Sequence, residues 1–421
     1  MNAESILQSY QHFGVHLGLK RIHQLLQKLD NPHQQVPIIH IAGTNGKGSV
    51  CAYLSSVLTE AGYRVGRYTS PHLIDWTERI CINQKPISPT ELQQCLKRVV
   101  AATQNNTQTP TQFEIITAAA WLYFAEQKTD IAVIETGLGG RLDATNVCET
   151  PLASVITSIS LEHWQILGPT VADIAGEKAG ILKAKCPAVI GELPESARIV
   201  VEKRIQELDC PATWVKPAVD LGQGFAEYQL NQNGVKIKYQ LPLLGKIQLM
   251  NSAIAIATLQ TLQNQGWQIS PTAIENGIAK TQWPGRLQQT TWKNRNILID
   301  GAHNPAAAIA LREYVDGLNH HQSPINWVIG ILATKDCDDI LKALLKKGDR
   351  LYLVPVPDQN SSSPAELATL AQIICPELTL CQAFPDLTTA LDAAVTGDNL
   401  TILCGSLYLV GYFLQQQQSQ A

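Results

Sequence analysis

Residues 41–49 read Ile41-Ala42-Gly43-Thr44-Asn45-Gly46-Lys47-Gly48-Ser49. An apolar run enters a glycine loop, then a lysine, then a helical pattern. Glycines let backbone N–H groups face a polyphosphate. The helix N-terminus adds partial positive charge, and Lys47 supplies a full charge for β- and γ-phosphates. The loop departs from G-x-x-x-x-G-K-[ST]: Ile41 stands where that pattern has glycine, and Gly48 takes the place of the Mg²⁺-binding hydroxyl. A divalent cation must therefore find its ligands elsewhere. Three candidates follow strand-like runs, where α/β sheets gather their ligands. They are Ser70 in Thr69-Ser70-Pro71-His72-Leu73, Glu135 in Val133-Ile134-Glu135-Thr136-Gly137, and His163 in Ser160-Leu161-Glu162-His163. Taken singly, Ser70 also reads as a turn residue, Glu135 as a capping or solvated carboxylate and His163 as a surface histidine. Their common placement joins them.

Positioning such residues requires alternating strands and helices, and the chain supplies them. Strands are predicted at 36–41, 64–68, 131–134, 153–156 and 188–190, with an edge strand or hairpin at 79–83. Helices are predicted at 49–61, 114–126, 171–182 and 196–208, and Ser88 caps another with Pro89 at its first position. Residues 213–242, with Gly222, Gly224, Gly234 and an alternating stretch at 235–239, read as a small β insertion. Helices follow at 251–263 and 272–279. Trp283-Pro284-Gly285-Arg286 breaks the pattern, and a boundary is placed near residue 288. A second series follows, with strands at 297–299, 327–331, 351–354, 378–380 and 400–403, and helices near 305–318, 338–346, 364–374, 385–395 and 407–415. The glutamines at 415–418 read as a polar tail. The fold class is α/β, with a doubly wound, mostly parallel sheet in each of two domains, 1–287 and 288–421.

Composition agrees. At ~150 residues per domain, 421 residues allow two or three domains, and 45% hydrophobic against 16% charged residues predicts a large core. Thirty-two Lys and Arg against 36 Asp and Glu leave a net charge of -4, which argues against a nucleic-acid partner. The N-terminal residues lack signal-peptide features. No run of about 18 apolar residues exists, so no membrane partner is expected and the localisation read is cytoplasmic. Ten scattered cysteines without a C-x-x-C pair suit buried thiols in a reducing compartment better than zinc or disulfides.

Seven motifs in order now resemble a known family. They are the loop at 43–49, Ser70-Pro71-His72-Leu73, Gly139-Gly140-Arg141-Leu142-Asp143-Ala144-Thr145-Asn146, Glu177-Lys178-Ala179-Gly180-Ile181, Trp283-Pro284-Gly285-Arg286, Asp300-Gly301-Ala302-His303-Asn304-Pro305 and Gly405-Ser406-Leu407-Tyr408. Together they look like the folylpolyglutamate synthase/dihydrofolate synthase family of the Mur ligase group. The resemblance implies a P-loop NTPase-like N-domain and a Rossmann-like C-domain. It also implies an ATP-dependent, ADP-forming ligation of L-glutamate through an acyl phosphate; a monomer is expected, though the sequence does not fix the oligomeric state. By motif, Gly43, Thr44, Asn45, Gly46, Lys47, Gly48 and Ser49 would hold the ATP phosphates. Ser70, Glu135 and His163 resemble Mg²⁺ ligands. Lys178 resembles a lysine that carries a CO₂-derived carbamate and so holds a second Mg²⁺. Arg286 resembles a residue reaching the γ-phosphate, Asp300, His303 and Asn304 the C-domain side of the nucleotide site, and Asn251 an adenine contact. Lys47, Lys178, His163 and Arg286 are the catalytic candidates.

The motif at 141–146 resembles bacterial members that make dihydrofolate, which implies dihydropteroate as acceptor, with glutamylation of reduced folates as well. Ser70, Pro71, His72, Phe113, Asp143 and Ala144 are the pterin or folate candidates; Asp143 would pair with the amino-pyrimidine nitrogens and Phe113 would offer a stacking face. A monofunctional folylpolyglutamate synthase is the alternative. A cell-wall Mur ligase is opposed by Gly48 and by only about 35 residues before the first strand, too few for an extra domain. A guanine-nucleotide switch is opposed by the lack of an N-K-x-D signature after the loop.

Overall fold

The computed structural model describes residues 2–11, 16–104, 108–229, 236–318 and 324–420. These divide into two compact units. One comprises Met1–Pro242 and Gln248–Gln282, the other Leu243–Ile247 and Trp283–Ala421. Among the described residues, no helix is long and apolar enough to cross a membrane.

In the first unit, helices α1 (Ala3–Gln8) and α2 (Lys20–Gln27) precede strand β1 (Ile38–Ala42). The chain continues through α3 (Lys47–Glu60), β2 (Val65–Tyr68), the hairpin β3 (Ile80–Ile82) and β4 (Lys85–Pro86), then α4 (Pro89–Ala102) and α5 (Gln112–Glu126). Next come β5 (Ile131–Glu135), β6 (Ala153–Ile156), the short α6 (Trp164–Leu167), α7 (Val171–Ala179), β7 (Ala188–Ile190), α8 (Glu195–Leu208) and β8 (Ala212–Trp214). Capping boxes start α4 (Ser88 with Glu91), α5 (Thr111 with Glu114) and α7 (Thr170 with Asp173), so each helix begins at a residue whose side chain satisfies an otherwise orphaned amide.

The main sheet runs β4-β3-β2-β5-β1-β6-β7-β8, parallel from β2 to β8 with the hairpin antiparallel at one edge. All five residues of β1 are buried, as a central parallel strand covered on both faces requires. Ile38, Ala132 and Ile134 share one core with α4 and α5. On α3, Ser56 donates to Gly277 O at 2.6 Å. The strand order places the carboxyl ends of β2, β5, β1 and β6 side by side, and the chain reverses direction across the sheet at β1.

The insertion is smaller than the sequence reading. Residues 212–214 are the edge strand β8 of the main sheet, so only β9 (Val219–Gly222), β10 (Phe225–Gln229) and β11 (Lys236–Gln240) form the separate antiparallel sheet. Val235, the first residue of the alternating stretch, lies outside the described residues. Helices α9 (Ile247–Asn264) and α10 (Pro271–Ala279) complete the unit.

Beyond Leu243–Ile247, the second unit runs from Trp283, ahead of the boundary read near 288, and residues 285–287 already bond within it. Gly301 N donates to Gly285 O, and Leu287 N to Asp300. Its strands are β12 (Gln288–Trp292), β13 (Arg295–Ile299), β14 (Asn326–Ile329), β15 (Arg350–Leu353), β16 (Leu380–Ala383) and β17 (Thr401–Cys404). They are ordered β12-β13-β17-β14-β15-β16, parallel except for β12. Helices α11 (Pro305–Asp316), α12 (Cys337–Leu344), α13 (Pro364–Ile374), α14 (Leu387–Ala394) and α15 (Leu407–Gln420) alternate with them. The polar 415–418 run is not a tail but the last turns of α15, and Gln417 hydrogen-bonds Thr290 and Thr291.

Candidate active site

The glycine loop after β1 is stitched to the segment after β6. Thr44 N donates to Ser158 O at 2.7 Å, and Asn45 N donates to Ser158 Oγ at 3.1 Å. Thr157 Oγ1 donates to Asn45 O at 2.7 Å, while Thr44 Oγ1 donates to Ser160 O and accepts from Ser160 N. Two amides of the loop are therefore engaged. The N–H groups of the first turn of α3, at Lys47, Gly48 and Ser49, have no i-4 carbonyl by helix geometry and remain for a phosphate. Thr157, Ser158 and Ser160 stand outside the sequence candidates; the available signal was a polar Thr-Ser-x-Ser directly after a buried strand.

Close approach explains two glycines. A Cβ on Gly43 would lie 1.9 Å from Thr157 Oγ1, and one on Gly46, where φ is +88°, would lie 2.4 Å from Asn251 Oδ1. Gly43→Ala is thus expected to strain the stitched loop, at a cost of about 1–3 kcal/mol, and to weaken nucleotide binding by about tenfold or more. Calorimetric titration with an ATP analogue checks this, and Thr157→Ala in the same chain should recover part of the loss.

Two lysines converge on one carbonyl. Lys47 Nζ donates to Gly43 O at 3.0 Å and to Thr44 O at 3.1 Å, and Lys178 Nζ donates to Gly43 O at 2.6 Å. Lys178 projects from α7 and is 5% exposed, not the solvated helix lysine its sequence neighbourhood allows. Burial, then the charge of Lys47, pushes its ammonium down to about 7, against the opposing pull of Glu162 and Asp143. Glu162 is a further acidic residue outside the sequence candidates.

Of the proposed cation ligands, Ser70 and Glu135 meet: Ser70 N donates to Glu135 Oε2 at 3.1 Å. Glu135 is 5% exposed at the end of β5. His163 sits at the N-cap of α6 with φ 52°, and its Nε2 lies 3.8 Å from Glu162 Oε1. Among the described residues, no three His, Cys, Asp or Glu side chains cluster as a metal cage. The donor types, a serine and a buried carboxylate joined through the serine amide, are hard oxygen chemistry that fits Mg²⁺ completed by waters and phosphate oxygens.

The acceptor candidates lie in the loops after β2 and β5 and, for Phe113, at the start of α5. Phe113 lies in the first turn of α5 with its ring over Gly137; a Cβ there would come within 2.4 Å of Phe113 Cζ. Asp143 is 3% exposed and accepts from Thr145 N, Thr145 Oγ1 and Leu138 N at 3.0, 2.5 and 2.8 Å. Burial raises its pKa while these hydrogen bonds oppose the rise. The carboxylate thus organises its own loop, and Ala144 beside it is also buried. Pro71 follows a cis peptide bond. His72 Nδ1 accepts from Arg79 Nε at 2.9 Å, its ring lies 4.6 Å from that of Trp76, and burial, then Arg79, pushes it down to about 3, so it is neutral. Gly18 N donates to Leu142 O, and Arg21 pairs with Glu114 at 3.0 Å, contacts absent from the sequence reading.

Asn251 lies against Gly46, with Nδ2 donating to Gln248 Oε1 at 3.1 Å. Within the second unit, Asp300 is buried and accepts from Leu287 N and Ala302 N, both at 2.8 Å. Burial raises its pKa, and Arg286 opposes this. Asn304 caps α11 through Ala307 N, and His303 Nδ1 lies 2.7 Å from Gly301 O. Asp300 and Asn304 therefore hold this segment together, whatever else they bind.

Residues 41–259 match the family described as Mur ligase middle domain, and 284–416 that described as dihydrofolate synthetase, C-terminal domain. The chain is 34% identical to the dihydrofolate synthetase of Saccharomyces cerevisiae, over 96% of this chain and 99% of that protein. It is 33% identical to the dihydrofolate synthase/folylpolyglutamate synthase of Bacillus subtilis, over 97% of each. Among solved structures, it is similar to E. coli FolC in complex with DHPP and ADP, with a TM-score of 0.88 and 29% identity over 100% of this chain and 98% of that one.

Proposed function

The chain belongs to the dihydrofolate synthase/folylpolyglutamate synthase family of Mur-type ligases, and we propose that it joins L-glutamate to dihydropteroate and to the γ-carboxylate of reduced folates, with ATP consumed to ADP. The observation that carries this reading is the pair of lysines, Lys47 and Lys178, on Gly43 O at the mouth of a phosphate loop. A carboxylate resists nucleophilic attack because it is already negative. Its oxygen attacks the γ-phosphorus, ADP departs, and the acyl phosphate so formed carries a leaving group. The amine of glutamate then attacks the acyl carbon, and inorganic phosphate leaves with the amide in place.

Each protein group has a task in that sequence. The amides of Lys47, Gly48 and Ser49 take the phosphate oxygens, and the Lys47 ammonium neutralises charge that spreads in phosphoryl transfer. Ser70 and Glu135, with His163, would hold Mg²⁺, which when bound draws charge from the phosphate oxygens. Lys178 is assigned the second cation through a carbamate. Arg286, with Asp300, His303, Asn304 and Asn251, is assigned to the nucleotide. Phe113, Asp143, Ala144 and residues 70–72 are assigned to the pterin.

A phosphate-release assay tests this. Release should require ATP, glutamate and an acceptor together, with dihydropteroate and tetrahydrofolate each serving. Release with tetrahydrofolate alone as acceptor would favour a monofunctional folylpolyglutamate synthase. Release with a muramyl nucleotide, and with neither pterin, would overturn the proposal.

A further inference from the structure

We infer that His40 is a positioning residue for the acceptor loop, acting through the hydroxyl of Thr145 on the carboxylate of Asp143. The inference rests on the assignment of the 137–145 loop to the acceptor. His40 lies in β1 between Ile39 and Ile41, is 1% exposed, and interrupts an otherwise apolar strand. A buried imidazole in such a run is costly unless its nitrogens are bonded. Its Nε2 lies 2.9 Å from Thr145 Oγ1, and Thr145 is fully buried.

The direction of every proton in this chain follows from the end point. Asp143 Oδ1 accepts from Thr145 N at 3.0 Å and from Thr145 Oγ1 at 2.5 Å, and Oδ2 accepts from Leu138 N at 2.8 Å. A carboxylate surrounded by donors is an acceptor throughout. The single hydroxyl proton of Thr145 is therefore committed to Asp143, and its oxygen can only accept from His40. The imidazole therefore carries a proton on Nε2. Burial, with Lys183 nearby, pushes its pKa down to about 3, so the ring is neutral.

The relay has a geometric consequence. β1 is held on both sides, by β5 and β6, and runs directly into the phosphate loop. Tying the Asp143 loop to the residue three positions before Gly43 refers the acceptor side and the phosphate side of the site to one rigid strand. Preorganised sites need such support to hold their groups within about 0.5 Å.

Steady-state phosphate release with dihydropteroate or ATP as the varied substrate tests the relay. His40→Leu should raise KM for the acceptor about tenfold, with kcat and KM for ATP within about twofold. His40→Gln, which keeps an N–H at comparable reach, should restore most of the affinity. Thr145→Val, which removes one hydroxyl at nearly constant volume, should reproduce the Leu phenotype, and it carries the test if His40→Leu does not fold. An unchanged acceptor KM in the folded variants, or equal rises for acceptor and ATP, would overturn the relay. Asp143→Ala separates the two levels. If its acceptor KM is unchanged, the acceptor-loop assignment falls; if that KM rises while His40→Leu and Thr145→Val are silent, only the relay falls.

Discussion

Lys47→Ala is expected to lower kcat/KM for phosphate release by on the order of 10²–10³-fold, the scale of losing one preorganised charge stabiliser, while the thermal midpoint and circular dichroism stay close to those of the parent. The electrostatic loss is large because no hydroxyl at position 48 brings a cation to the loop, so Lys47 is the one full charge the loop itself carries. The structural loss is small. Lys47 Nζ donates to Gly43 O and Thr44 O, but Gly43 O keeps Lys178 as a donor, and the loop itself is held by Thr157, Ser158 and Ser160. Lys47→Arg should not rescue, since a planar fork cannot replace a compact ammonium against backbone carbonyls and phosphate alike. A folded Ala variant retaining more than about a tenth of the parental kcat/KM would remove Lys47 from the phosphoryl-transfer step.

What could be read beforehand follows what is local. β1, β5, β6 and β17 are short apolar runs because both their faces are covered, and α4 announces itself through Ser88, Pro89 and Glu91. Elements stabilised by partners distant in the chain were less visible. β12 is a half-exposed Gln-Gln-Thr-Thr-Trp stretch that becomes a strand through pairing with β13, and β8 joins the main sheet through β7. The same division runs through the site. Gly43, Gly46 and Lys47 form a local pattern, and their residue types announce their chemistry. Thr157 and Ser158 reach the loop across more than a hundred residues, and nothing in their own neighbourhood predicts Asn45 as partner. His40 hides most completely, because a single histidine in a strand acquires meaning only once Thr145 is placed beside it.

Lys178→Met is expected to abolish phosphate release and yet to stabilise the nucleotide-free protein, by several kcal/mol at pH 6 and much less at pH 9. Burial, then Lys47, holds the folded ammonium down to about 7, far below the ordinary 10.5. Below pH 7 both folded and unfolded chains carry the proton, and the full cost of burying the charge weighs on the fold, at about 1.4 kcal/mol for each tenfold weakening of proton binding. Between about 7 and 10.5 the unfolded chain binds a proton that the folded chain has lost, so stability rises with pH until the penalty is gone. Methionine never carries that penalty, and Gly43 O retains Lys47 as its donor. Thermal melts of both proteins across this range read the difference; parallel curves would mean that Lys178 is charged and well solvated when folded. The same depressed pKa supplies neutral amine near pH 7, where Nζ can add to CO₂, releasing one proton and leaving an anionic carbamate. With ¹³C-labelled CO₂, a carbamate carbonyl resonance should appear in the parent and be missing in Lys178→Met. A parent without that resonance, active in CO₂-depleted buffer, would leave Lys178 as a neutral buried amine and remove the second-cation role. A carbamate on Lys178 would give a reason for keeping a lysine buried beside Gly43 O and close to Lys47 at that cost in stability.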